Sequence, residues 1–264
     1  MTALALTAPR LIAADLLKLR RRRGLAIVVG LLTLGAVLIT YGVMEILHLV
    51  DSTRHGPAGG IENLGHGTFV VSALGGVAAA IVGAAAGAGD LDAGVYRDLV
   101  VTGRSRLALF ASRIPAGLMF LLPLVVAAYG LAAVVGVVFA DTRPSPDARL
   151  MVLGGLWALL EVTFYYLLSL AIACLIGSRS YTIGIVLAFR LAVTPILASI
   201  SALGIVRELL PGVAMQSLTP AGFGDAVRQG PVVPMSVAAT AAVLVVWTLL
   251  ALALAARRDT TRDA

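Results

Sequence analysis

The sequence predicts an all-α, polytopic membrane protein with six transmembrane helices, and three observations predict it. Of its 264 residues, 59% are apolar and only 13% charged, whereas a soluble domain has about 45–50% and about 25%. The mean hydropathy is +0.99. Six stretches are almost free of charge, and each approaches the ~20 residues that a helix needs to cross a bilayer. Short connections between them leave little room for a soluble domain.

The elements follow in order. Residues 1–23 form the N-terminal segment, and TAPRLIAADLLKLRRRR (residues 7–23) has the pattern of a helix. Thr7 suits a cap and Pro9 a first turn. Ile12, Leu16 and Leu19 share one stripe, while Asp15, Lys18 and Arg22 share the next. That pattern describes an amphipathic helix lying in the interface, whose basic end meets lipid headgroups. The six spans are expected at 24–48, 68–89, 107–139, 150–177, 181–203 and 235–256, so that 24–264 is one six-span domain. Pro115 and Pro123 are expected to bend the third span. The very short connection 178–180 makes the fourth and fifth spans a helical hairpin.

Orientation follows from the basic residues. With the N-terminus inside, the inner segments carry 14 Lys and Arg, the outer segments carry 5, and Arg190 lies within a span. The excess and the even number of spans place both termini in the cytoplasm. The arginine bias and the Ala/Gly/Val richness point to a GC-rich bacterial gene, and so to a bacterial cytoplasmic membrane.

Several chemistries are excluded. Lys18, the one lysine, is followed by Leu19 and Arg20, and no G-x-x-x-x-G-K-[ST] motif occurs. The chain therefore carries no Walker-type ATPase, and an ATP-driven role needs a partner. A lone cysteine, Cys174, cannot form an intrachain disulfide and reads as a packed thiol. His48, His55 and His66 fall at or beyond the outer end of the first span, near Asp51 and Glu62; such a set could bind a metal, but the irregular spacing favours a solvated loop, and no pairing suits haem. Neither H-E-x-x-H nor the serine-hydrolase G-x-S-x-G motif is present. No catalytic residue, metal site or nucleic-acid surface is expected.

Residues 89–117, GDLDAGVYRDLVVTGRSRLALFASRIPAG, are the most informative segment. Leu91, Val95 and Leu99 have helical spacing, with Asp90, Arg97 and Asp98 elsewhere, and Gly103 ends the run. A short amphipathic helix between two spans acts as a lever if a soluble partner grips it, and packs on lipid if none does. The segment resembles the inner loop of ABC-2 type transporter permeases, the membrane subunits of ABC exporters. The resemblance rests on Asp90, Gly94, the turn Thr102-Gly103-Arg104-Ser105-Arg106, and Arg113 at the start of a long third span. The entry helix, the six spans and the broken stretch between spans five and six agree with it. Where many relatives have Glu, Thr and Lys, this chain has Asp90, Val95 and Arg113.

The resemblance implies a dimer, with a second copy or a paralogue, and two separately encoded ATP-binding subunits that hold ATP and Mg. It implies coupling through loop 90–106, by Asp90, Leu91, Gly94, Val95, Arg97, Asp98, Leu99, Thr102, Gly103, Arg104 and Arg106, with Arg179 at the next inner turn. It also implies that residues 201–234, broken by Pro211, Gly212, Pro220, Gly222, Gly224, Pro231 and Pro234 yet largely apolar, form short re-entrant helices in the outer leaflet. Such backbone is tolerated at depth only under protein or water.

Ionisable residues inside spans are functional candidates by default. Counted from the inner ends, Glu161 lies ~24 Å and Arg190 ~15 Å along adjacent helices. Three arrangements fit: an intramembrane ion pair, separate groups facing a cavity or dimer interface, and snorkelling to the nearer surface. Gly75-Gly76, Gly154-Gly155 and Gly83-x-x-x-Gly87 suit close helix packing, within the chain or across a dimer. An ion-gradient-driven secondary transporter is the first alternative function, and a membrane-embedded enzyme the second. No internal repeat supports the first, and no pair of catalytic groups at one depth supports the second.

Overall fold

The computed structural model describes residues 2–94, 105–227 and 233–261, and every regular element among them is helical. Helix α1 (Thr2–Arg21) precedes α2 (Arg23–Val50), α3 (Ile61–Asp92), α4 (Arg106–Val138), α5 (Ala148–Ile176) and α6 (Arg179–Ser199). A short helix α7 (Pro211–Ser217), flanked by 3-10 turns at Ser201–Leu209 and Ala221–Ala226, leads to α8 (Val237–Thr261). Six helices, α2 to α6 and α8, are long and apolar enough to cross a membrane.

Local chemistry sets the boundaries. Arg22 leaves helical geometry (φ −77°, ψ 81°) and separates α1 from α2. Ser105 and Asp147 cap α4 and α5, accepting from Ala108 N at 3.2 Å and Leu150 N at 2.6 Å. Gly177 ends α5 in the left-handed conformation (φ 78°), which favours glycine, and the chain enters α6 two residues later. The expected hairpin therefore forms. Helix α4 runs as one element through Pro115 and Pro123.

Two of the boundaries that differ from expectation have a local cause. The second crossing helix starts at Ile61, not at residue 68, because the preceding loop packs on protein and the Ile61 N–H finds Pro144 O at 3.0 Å. Gly60 N donates to Gly136 O at 2.8 Å, and Asn63 Nδ2 donates to Pro57 O at 2.9 Å. Polar residues read as loop are thereby held in the helix, which takes in His66 as well. The fifth crossing helix ends at Ser199, because Ile200 is extended. At the loop's start, Thr53 Oγ1 donates to Asp51 at 2.6 Å, which holds that carboxyl below its ordinary value. Two π-helical turns, Leu31–Gly35 in α2 and Phe189–Val193 in α6, had no counterpart in the sequence reading.

Helices α3 and α5 form the centre, and α8 is the most exposed crossing helix. Their contact is made at backbone level. A Cβ at Gly83 would stand 2.7 Å from Tyr166 O, and one at Gly87 2.7 Å from Leu170 O. Ser169 Oγ donates across the contact to Ala80 O at 2.7 Å. The Gly83/Gly87 stripe thus serves packing within the chain. Cys174 is fully buried beside it, as a packed thiol should be.

A Gly83→Val substitution should force α3 and α5 apart and lower stability by about 1–3 kcal/mol. Gly184, with nothing within 4 Å of an added Cβ, should accept alanine at no loss. Denaturant midpoints of the two variants in one detergent check the contrast.

Candidate functional site

Two buried charge clusters sit on the α3–α5 framework. The first gathers at the end of α3. Acidic groups there face the negative pole of the helix dipole and need cations nearby. Asp90 receives Lys18 Nζ at 3.3 Å from α1 and Arg113 Nη2 at 3.5 Å from α4. Lys18 also pairs with Asp15 at 3.1 Å, whose other oxygen accepts Ser112 Oγ at 2.6 Å. Arg113, only 3% exposed, donates to Gly87 O at 3.3 Å, and its own carbonyl accepts from Tyr166 Oη at 2.6 Å. Asp92 pairs with Arg179 Nε at 2.5 Å at the start of α6. Arg106 Nη1 donates to Thr260 O at 3.3 Å near the end of α8. The ends of α3, α4, α6 and α8 and helix α1 are thus tied at one side of the molecule, the side from which segment 95–104 leaves.

Of the residues singled out in the sequence, Asp90, Arg106 and Arg179 belong to this cluster, and Gly94 lies in the turn after α3 with φ 70°. Leu91 is in the last turn of α3. Val95, Arg97, Asp98, Leu99, Thr102, Gly103 and Arg104 lie outside the described residues. Sequence reading missed that Asp15, Lys18 and Ser112 complete the cluster. The Asp15/Lys18 spacing of i,i+3 on the polar side of α1 was the available signal.

The second cluster lies near the middle of α5 and α6. Arg190 Nη2 donates to Glu161 Oε1 at 2.7 Å and to Ser72 O at 2.8 Å, and Nη1 donates to Ala73 O at 3.0 Å. Its guanidinium lies 4.5 Å from the centre of the Tyr165 ring, within cation–π range. Of the three arrangements considered, the ion pair is the one that forms. The sequence offset is bridged by the long arginine side chain, which leaves from the π turn of α6, and by Gly76. A Cβ at Gly76 would fall on Arg190 Nη1, so a glycine there opens the passage to the α3 carbonyls. π turns concentrate at functional sites.

The pair borders a cavity of about 220 Å³, walled by α3, α5, α6 and α7. Trp157 Nε1 donates to Met215 O at 2.9 Å and fastens α7 to α5 at its rim. Glu161 Oε2 has no hydrogen-bond partner within the protein. No group of three or more His, Cys, Asp or Glu side chains placed to hold a metal occurs among the described residues.

No protein-family model matches the chain, and no curated protein matches it either.

Arg190→Met would strand a buried carboxylate, a change that typically costs about 3–5 kcal/mol. Joint replacement, Glu161→Leu with Arg190→Met, should recover most of that loss. Denaturant midpoints in detergent check this, and equal destabilisation of the single and double variants would refute a coupled pair.

Proposed function

We propose that the chain is the permease subunit of an ATP-driven ABC exporter in a bacterial cytoplasmic membrane. Two copies, or one copy and a paralogue, form the substrate path. Two ATP-binding subunits, which hold ATP and Mg, dock on loop 90–106 from the cytoplasm. The chain catalyses nothing itself. Closure of the ATPase pair pushes the loop, and the loop moves the crossing helices.

The observation that supports this reading best is the cluster around Asp90. The segment that would receive the push leaves α3 two residues after Asp92 and enters α4 at Arg106. Both flanks are tied by ion pairs and hydrogen bonds to α1, α6 and α8. A displacement of the loop is therefore carried into several helices as a rigid body instead of being absorbed by a soft turn. The loop's apolar residues Leu91, Val95 and Leu99 would supply affinity for an ATPase groove, and its charges would set register.

The remaining assignments support the same layout. Helix α1, tied to α4 through Asp15 and Ser112, lies along the inner interface in contact with lipid. Helix α7 is re-entrant: it meets α5 at Trp157, nine residues or about 14 Å from the start of that helix. Both termini face the cytoplasm.

One observation favours an ion-gradient-driven transporter as a second reading. Glu161, half-way along a crossing helix, keeps one carboxylate oxygen without a protein partner beside a cavity, as coupling sites in such transporters require.

Two experiments test the proposal. An ATPase encoded separately should co-purify with the chain, and Leu99→Asp should abolish that association at normal membrane levels, because it places a charge in an apolar contact. Retained ATPase with intact transport would refute coupling through this loop. For topology, Ser105→Cys and Thr260→Cys should be shielded from an impermeant label applied outside, while Ser52→Cys, Ser145→Cys and Ser217→Cys react. Labelling at position 105 from outside would invert the orientation.

A further inference from the structure

The cavity beside the Glu161–Arg190 pair has an unusual polar lining. Glu161 and Thr194 are 7% and 5% exposed, and both border the cavity. Neither Glu161 Oε2 nor Thr194 Oγ1 has a hydrogen-bond partner within the protein. Thr33, Thr40, Thr68, Thr182 and Thr248 each donate to the carbonyl four residues earlier, the usual way a hydroxyl satisfies itself in an apolar helix. Thr194 follows the π turn that carries Arg190, and its hydroxyl stays unengaged.

The Ser72 hydroxyl donates to Phe69 O at 3.1 Å and also lies within hydrogen-bonding reach of the Glu161 carboxylate, and Trp157 Nε1 is used by Met215. Arg190 is engaged by Glu161 Oε1 and two carbonyls of α3. A buried polar atom without a partner is costly, so a lining that retains two of them at one cavity is arranged for a molecule that pairs with both.

The chemistry restricts that molecule. Glu161 and Arg190 already neutralise each other, so a further full charge in the cavity would stay uncompensated and is disfavoured. A neutral group that donates to Glu161 Oε2 is suited, and Thr194 offers both a donor and an acceptor. Phe69, Trp157, Leu191 and Val213 supply apolar wall, and Gln216 adds an amide to the lining. At about 220 Å³ the space is smaller than a typical drug-sized pocket of roughly 300–1,000 Å³. It accepts a small molecule or one end of a longer one.

We propose that this cavity binds the neutral hydroxyl or amide end of a small amphiphile, hydrogen-bonded to Glu161 and Thr194 with its apolar part against Phe69 and Trp157. The binding is independent of the exporter reading: it holds whether ATP or an ion gradient drives the protein, and its test uses neither.

Trp157 reports on the site. In a Trp247→Phe background it is the single remaining tryptophan of the two in the chain, and 4-bromobenzyl alcohol serves as a heavy-atom quencher carrying one hydroxyl. The purified full chain in detergent should show saturable quenching. Thr194→Val, which removes the hydroxyl at nearly constant shape, should weaken binding about five- to tenfold. Ala198→Leu, which fills the cavity, should abolish saturation. On the parent protein, 4-bromotoluene and protonated 4-bromobenzylamine should both bind more weakly than the alcohol. Quenching that rises linearly and equally in all variants would overturn the proposal, as partition into detergent. Bromotoluene binding as tightly as the alcohol would overturn the polar role, and tighter binding of the amine would overturn the neutral class. If Ala198→Leu loses its helical circular dichroism, Thr194→Val and the three-ligand comparison decide the matter alone.

Discussion

The lack of side chains along one stripe of α3 governs the rest of this molecule. Gly83 and Gly87 let the backbones of α3 and α5 meet, closer than any Cβ would permit. In a bilayer, where apolar surface gains little by leaving lipid, such backbone-level packing and cross-helix hydrogen bonds are what hold helices together. The same stripe positions both charge clusters. Gly76 opens the passage by which Arg190 reaches α3, and Gly87 leaves its carbonyl to Arg113 and Cys174.

Charge placement follows from that framework. In a medium of low dielectric a lone ion is costly, so the buried ions here occur with counter-ions and further hydrogen bonds. Arg113 joins Asp90 and the Gly87 carbonyl; Arg190 joins Glu161 and two carbonyls. The Asp90 cluster spans α1, α3 and α4, and Glu161–Arg190 spans α3, α5 and α6. Each cluster specifies which helices are neighbours, a task that interchangeable apolar faces perform poorly.

Both clusters lie on one helix. Ser72 and Asp90 are separated by 18 residues of α3, about 27 Å along its axis. A stiff helix therefore joins the side from which segment 95–104 leaves to the wall of the cavity. In the exporter reading this is the route by which motion at the loop reaches the path. The close α3–α5 contact bears on that route, because two helices packed backbone to backbone shift together.

Membrane residence, the number of crossing helices and the α5–α6 hairpin were legible in the sequence, because a bilayer reads composition and length, and both are properties of a linear string. The glycines, the two intramembrane charges and the polar spacing of α1 were legible as features, not as contacts. Nothing in the string says that Lys18 meets Asp90 across 72 positions, that Gly76 faces Arg190, or that a π turn in α6 leaves the Thr194 hydroxyl at a cavity. The start of α3 was misplaced because Asn63 and His66 look like loop residues until folding gives the Asn63 amide and the Ile61 N–H their partners. Local periodicity and hydropathy determined which segments become helices and that they cross; only tertiary structure decided which faces meet, because in an apolar solvent that choice rests on close packing and on pairing of buried polar groups, and both depend on residues far apart in the chain.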